Sequence, residues 1–465
     1  PSRRKPKQDN QPSSIETRTE HERDYDRVLF STPVRRMGDK AQVFPLERND
    51  SVRNRLTHSH EVSNLCRSIG TTLAFEETDH SRRSHSLRSI PSILAAAGLA
   101  HDLGNPPFGH QGEVAIARWF KRDAERLLKD PKHKLSVAQA EDFLRFEGNA
   151  QAFRILTRLQ LLNDDFGLDL TYATLAALMK YPTPSDKIVE KGDPARKKHG
   201  FFQSEKRIAD AVWENTGLRE GLRHPLTYLM EACDDIAYTV LDAEDAVKKG
   251  LVSFSDLLGY IRQRCPRDPV AKVIVDQAQE KHLKYRGAKL SPSELNDVSM
   301  QRFRVYAIHE MVQASIKAYR VRASDIEAGR LTTDLLGVSD AAEFRRALKD
   351  FDTEHAYRHR SVLALEAIGT KTIWGLMDIL WAAITEREDE GELGSRRNSP
   401  FLSYAYQRIS ENYRRIFENP KNEMPIRYRE AQLLTDMISG MTDTFALDLL
   451  KDLNQYADRD YSQPK

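Results

Sequence analysis

Apolar positions recur at intervals of three and four along most of the chain, and alternation with a period of two is scarce. That spacing predicts an all-α protein. Val52, Leu56, Val62, Leu65, Cys66, Ile69 and Leu73 form one stripe over residues 51–75. Ile93-Leu94-Ala95-Ala96-Ala97-Gly98-Leu99-Ala100 is apolar throughout and rich in alanine, which predicts a buried helix. Gly104 and Pro106-Pro107 are stop signals, so His101-Asp102 is expected in its last turn. An amphipathic pattern starts near Gly109 and continues through Trp119-Phe120 to Leu128, and Gly148-Asn149 interrupts two helical segments around 143–153. Helices are also predicted over Leu170–Met179, ended by Pro182, and over Leu226–Val247. Beyond position 250 the pattern repeats over 303–319, 340–350, 359–386, 401–417 and 428–452.

Polar stretches mark the boundaries. Residues 1–23 carry almost no apolar anchor and are expected to form a disordered tail, with globular structure starting near Tyr25. Residues 76–90 read as a polar connection, and 182–200 as a long polar loop of the kind that forms lids or stays disordered. The expected organisation is a core over 24–250 and a C-terminal helical region over 251–465, packed on it as one continuous unit.

Composition excludes more than it identifies. Lys+Arg 71 against Asp+Glu 69 leaves a net charge of +2, which does not mark a nucleic-acid binder. Cys66, Cys233 and Cys265 show no Cys-x-x-Cys spacing, which argues against a disulfide framework and a thiolate zinc site and fits a reducing cytoplasm. No apolar run approaches membrane-spanning length, so a soluble cytoplasmic protein with no membrane partner is expected.

Candidate chemistry gathers in residues 101–113, where His101, Asp102, His110 and Glu113 flank a sharp corner. His110 and Glu113 share one face of a first helical turn. His58 lies on the inward side of the 51–75 helix with Val62, Leu65 and Ile69, whereas His60 is rotated away. Asp234, Tyr238 and Asp242 form one stripe on the 226–247 helix, leaving Asp235 as a supporting or solvated acid. Acids in an apolar helix need a partner or a cation. His58, His101, Asp102 and Asp234 suit a divalent metal: Mn, Fe, Co, Ni or Zn, or Mg with open positions. His110 and Glu113 then remain for proton transfer, while Arg55 and Lys180 can grip phosphate oxygens. Together they point to metal-assisted hydrolysis of a phosphate ester or anhydride. Gly369-Thr370-Lys371-Thr372 is no phosphate loop, because position 364 is alanine where the motif needs glycine.

At this point the sequence resembles the HD-domain phosphohydrolases, and specifically the dGTP triphosphohydrolase (dGTPase) family. His101-Asp-Leu-Gly-Asn-Pro-Pro-Phe-Gly-His110-Gln-Gly-Glu113 is similar to the dGTPase version of the motif. Gln42-Val-Phe-Pro-Leu, Arg55-Leu-Thr-His58-Ser, Phe146-Glu-Gly-Asn149-Ala-Gln, Lys180-Tyr181-Pro, Asp234-Asp-Ile-Ala-Tyr238, His359-Arg-Ser-Val-Leu and Ser439-Gly-Met-Thr-Asp443 follow in family order. The resemblance runs from about residue 25 to about 450 and implies the family's all-α HD core, elaborated by a large C-terminal helical region. It implies hydrolysis of a dNTP, dGTP above all, to the deoxynucleoside and inorganic triphosphate, with attack at the α-phosphorus. By the same resemblance His110, supported by Glu113, serves the 5′ leaving oxygen. Gln42 and Asp242 bind the sugar 3′-OH, and Tyr238 packs where a 2′-OH would collide. Arg55, Lys180 and Tyr181 hold the triphosphate, and Asn149 lines the pocket. A homo-oligomer, hexamer or tetramer, and a dNTP or single-stranded-DNA effector are further implications. Two positions depart from the pattern: His60, where a nonpolar residue is common, and Thr444, where arginine is expected. The competing readings are an HD phosphohydrolase acting on other nucleotides under dNTP activation, and a nucleotide sensor or single-stranded-DNA binder using the basic clusters 187–198 and 414–429.

Overall fold

The computed structural model describes residues 3–4, 17–47, 49–76, 80–160, 166–189 and 191–457. Among these residues there are α-helices and short turns of tighter or wider helix, and no strand beyond isolated bridges. The expected all-α class is therefore observed.

Several boundaries differ from the sequence expectation, each for a local reason. A helix already spans Glu20–Leu29, started by a capping box in which Thr19 and Glu22 satisfy each other's backbone, and its His21 and Asp24 are buried. Upstream, Arg3 donates to Asp24 (2.8 Å), and Arg4 donates to the carbonyl of Phe166 (3.0 Å). Structure therefore reaches into the stretch expected to be a tail, whereas residues 5–16 lie outside the described ones. The 76–90 connection is largely helix: His80–Ala100 is continuous and accommodates Pro91 internally. Helices Phe254–Arg264 and Pro269–Arg286 escaped the pattern, and the 303–319 segment is the middle of a longer helix, Pro292–Glu327. The 428–452 segment is two helices, Ile426–Gly440 and Asp443–Tyr456, because Thr442 caps the second by accepting from the Phe445 N–H. The 401–417 segment is likewise two, Pro400–Gln407 and Glu411–Glu418.

Two large apolar clusters hold the helices together. One packs Arg55–Phe75, His80–Ala100 and Pro225–Lys248 against Pro269–Arg286 and Pro292–Glu327. The other gathers Gly109–Arg122, Arg360–Thr385 and the last two helices. Both draw on residues from either side of position 250, so the C-terminal helices build the same interior as the N-terminal ones.

The pairing of Arg55–Phe75 with His80–Ala100 positions half of the site. An added Cβ at Gly98 would lie 3.0 Å from both the Cys66 sulfur and the Ser63 Cα, and Ser63 Oγ donates to the Ala95 carbonyl (2.8 Å). The helices thus touch backbone to backbone, and His58 at the start of one faces His101 just past the end of the other. The corner after His101 is equally tight. A Cβ at Gly104 would come within 2.0 Å of the Gly148 carbonyl oxygen. Phe108 then takes a left-handed backbone (φ 61°), unusual for a bulky side chain, and starts Gly109–Arg122.

Candidate active site

His58 occupies the first turns of Arg55–Phe75, whose N-terminus Asn54 caps through the Thr57 N–H. His101 follows Ala100 directly, in the turn after the helix rather than in its last turn. Asp234 projects from the middle of Pro225–Lys248. The three converge: each histidine Nε2 lies 3.4 Å from the same Asp234 Oδ1, and the ligating atoms of all three lie within 4.8 Å of one another. Neither His58 nitrogen has a hydrogen-bond partner, nor does His101 Nε2. His101 Nδ1 is 2.7 Å from the Gly98 carbonyl, which makes it the protonated nitrogen and leaves the Nε2 lone pair facing a carboxylate. Lone pairs aimed at a carboxylate need a cation between them. Burial works against charging His101, yet Asp102 and Asp234 outweigh it and push its pKa up to about 9, so at neutral pH a proton on Nε2 occupies the place that a metal ion would take. The same field favours a metal ion.

Asp102 stands beside this trio rather than within it. Its Oδ1 is 3.6 Å from His101 Nε2 and accepts from Asn105 Nδ2 (2.5 Å), while its Oδ2 accepts from Arg55 Nη1 (2.5 Å). Arg55, expected to hold phosphate, is therefore also a partner of the Asp102 carboxylate. His60 is exposed, which removes it from the site.

At the other end of the corner His110 Nδ1 contacts Glu113 Oε2 (3.0 Å), and Glu113 Oε1 accepts from the Gly148 N–H (2.7 Å). That hydrogen bond with Glu113 raises the His110 pKa above its ordinary value. Burial works against the charged Glu113, but His110 and Lys198 hold its carboxyl below the usual range. The result is an imidazole ready to carry a proton beside a carboxylate that stays ionised.

The remaining candidates line the approaches. Lys180 Nζ lies 3.5 Å from Glu231 and 3.6 Å from Asp234 Oδ2. Lys180, Tyr181 and Tyr238 line a cavity of about 430 Å³ that also takes in Arg345 and Lys349, and Lys349 Nζ lies 4.9 Å above the Tyr238 ring. Asp235 is neither solvated nor idle: it is buried and pairs with Arg345 (2.6 Å). Asp242 accepts from the Tyr357 hydroxyl (2.6 Å), and burial pushes its carboxyl up to about 8 despite that bond. Gln42 Oε1 is buried and has no donor. Asn149 Nδ2 donates to Glu147 (2.6 Å), which also pairs with Lys198 (2.6 Å).

Tyr357, Lys349, Glu147 and Lys198 were missed by sequence reasoning. Glu147 precedes the Gly148-Asn149 turn, and Lys198 lies in the 182–200 stretch, whose described residues include short turns of helix at Ser185–Lys187 and Pro194–Arg196. Thr444, the second departure, donates to Asp39 (2.9 Å). Among the described residues no helix is long and apolar enough to cross a membrane.

The chain is similar to known proteins over nearly its whole length. Residues 55–190, which carry His58, His101-Asp102, His110 and Glu113, match the HD domain family. A deoxyguanosinetriphosphate triphosphohydrolase-like protein of Listeria monocytogenes is 34% identical over 449 residues, 95% of each chain. A probable deoxyguanosinetriphosphate triphosphohydrolase of Pseudomonas aeruginosa is 32% identical, covering 92% of this chain and 91% of its own. The deoxyguanosinetriphosphate triphosphohydrolase of Salmonella paratyphi A is 31% identical, covering 93% and 94%. With likeness over nearly the full length, the chain belongs to the HD-domain dGTP triphosphohydrolase family and is a hydrolase.

Proposed function

We infer that this chain is a metal-dependent triphosphohydrolase that converts dGTP, and other dNTPs with it, to the deoxynucleoside and inorganic triphosphate. The observation that carries this is the division of labour within one corner. His58 and His101 turn ring nitrogens without hydrogen-bond partners toward the Asp234 carboxylate, while His110 and Glu113 form a separate pair able to hold a proton. Imidazole nitrogens and carboxylates fit Mn, Mg, Co, Ni, Fe or Zn, with Asp102 as the fourth candidate ligand if it turns from Arg55 or Asn105. When bound, such an ion supplies Lewis acidity toward the α-phosphoryl group and acidifies the attacking water.

The chain's own residues do the rest. Arg55, Lys180, Tyr181 and Lys349 provide donors and positive charge for the triphosphate, with Asn149 nearby. The orphaned Gln42 Oε1 accepts from the sugar 3′-hydroxyl, which Asp242 also meets. Tyr238 closes the space that a 2′-hydroxyl would need. Water forms a bond to the α-phosphorus as the bond to the 5′ oxygen breaks. The electron pair goes to that oxygen, which takes a proton from His110, and Glu113 stabilises the imidazolium until then. The water's oxygen leaves on the triphosphate, and its proton passes to solvent.

The test is a panel of dNTPs and NTPs with Mn or Mg and separation of products. Deoxynucleoside and triphosphate from dGTP are expected. Release of monophosphate and pyrophosphate would overturn the reading. The same panel with a second dNTP or single-stranded DNA, combined with light scattering, tests the effector and the hexamer or tetramer. Much of the basic charge expected to serve DNA is already engaged: Lys187 pairs with Glu220 (2.9 Å) and Arg415 with Glu411 (2.6 Å).

A further inference from the structure

The segment that carries Gln42 is tied to the C-terminal helices through contacts that also reach the catalytic corner. Lys40 is buried, and its Nζ donates to the Asn105 carbonyl and to the Ser439 carbonyl, both at 2.7 Å. Asn105 in turn holds Asp102 through its side chain (2.5 Å). Asp443, also buried, accepts the Ala41 N–H on Oδ2 (3.0 Å) and the Phe108 N–H on Oδ1 (2.9 Å). Ala41 immediately precedes Gln42. Phe108 is the left-handed residue two positions before His110. The Lys40 carbonyl accepts the Arg55 N–H (3.0 Å), so the start of the His58 helix joins the same knot.

A bulky residue holds a left-handed backbone only where its surroundings fix it. One carboxylate contributes to that fixation by accepting the Phe108 N–H, and it also holds the backbone just before Gln42. We propose that Asp443 and Lys40 form a buried latch that positions His110 and Gln42 relative to the metal-binding residues, making both positioning residues for the hydrolysis. The inference rests on the function proposed above.

In Asp443→Asn the amide nitrogen must confront one of the two N–H groups, so one grip is lost while the size of the side chain is kept. Mn binding by titration calorimetry is expected to stay within about three-fold of the unmodified protein, because His58, His101 and Asp234 are untouched. Among folded molecules kcat for dGTP should fall by about 10- to 100-fold, with a smaller rise in KM, as expected for a misplaced proton donor. Hydrogen exchange at the Ala41 and Phe108 amides should quicken together by at least about ten-fold. Lys40→Met should repeat the kcat loss, and Thr444→Ala, a neighbouring exposed contact, should leave turnover unchanged. A variant that loses thermal stability but keeps kcat would overturn the proposal, as would exchange that quickens at neither amide. If both variants fail to fold, a positioning role separable from folding is overturned too. Absence of dNTP hydrolysis by the unmodified protein would instead sink the function reading, and the exchange result would still decide whether the latch exists.

Discussion

His101 and His110 belong to the same corner, yet their side chains are 8% and 72% exposed. Around His101 the backbone is held close: Gly98 lets two helices touch, the Gly98 carbonyl sets the ring's donor, and Gly104 presses the turn onto the helix Gly148–Arg154. Around His110 almost nothing is enclosed, and a single carboxylate sets its behaviour. An ion-binding end needs invariant distances, because ligand atoms displaced by a few tenths of an ångström lose affinity. A proton-transfer end needs an ordinary imidazole with an adjusted pKa and access to the leaving oxygen. One corner therefore combines a rigid end with a tunable end, and substitutions at the two should fail in different ways.

The sharpest contrast comes from Asp234→Asn, which removes the negative charge that both imidazoles face. It should abolish Mn binding by calorimetry and reduce dGTP turnover below detection; retained binding would displace Asp234 from the ligand set. His110→Ala should lower kcat by about 10²- to 10⁴-fold with Mn binding intact, the size expected for lost general acid–base catalysis. Glu113→Gln should lower kcat by about 10- to 100-fold and move the alkaline limb of the pH–rate profile. The sign follows from the contact. Glu113 raises the His110 pKa, activity needs the protonated ring and is lost as pH rises through that value, so the variant should fail at lower pH. An unmoved limb would show that another group titrates. Gly98→Ala tests the rigid end from a distance. Its Cβ must push against Cys66 and the Ser63 backbone, costing about 1–3 kcal/mol in thermal unfolding and weakening Mn binding, with no shift in the pH profile. The smallest effect is expected from Tyr357→Phe, about five- to ten-fold in kcat/KM, the worth of its hydrogen bond to Asp242.

The rigid end was largely legible in the sequence and the tunable end only partly so. Helical spacing identified His58 over His60 and singled out Asp234, because those choices depend on period alone. Spacing could not show that Asp102 is already held by Arg55 and Asn105, since that depends on where a second helix begins. From around residue 350 Lys349 lines the cavity and Tyr357 reaches Asp242, and no local pattern distinguishes them from any aromatic or basic residue on an amphipathic helix. Lys198 looked like part of a solvated loop, because its partner Glu147 is distant in the chain. The 76–90 error has the same origin: the helix continues upstream through serine, arginine and histidine, whose modest intrinsic preferences did not announce it. The Glu20–Leu29 helix was hidden likewise among charged residues, although Thr19 and Glu22 have the spacing of a capping box.

The hydrogen bond from Lys40 to the Ser439 carbonyl closes a loop of 399 residues. During synthesis, the N-terminal segment that carries Gln42 must wait until residues 439–443 have emerged before its buried amine and backbone find their partners. The histidines and aspartates of the ligand set are all in place long before that. A nascent chain can thus bring His58, His101 and Asp234 together before Lys40 finds the Ser439 carbonyl, so the contacts that hold the segment before Gln42 are among the last to form.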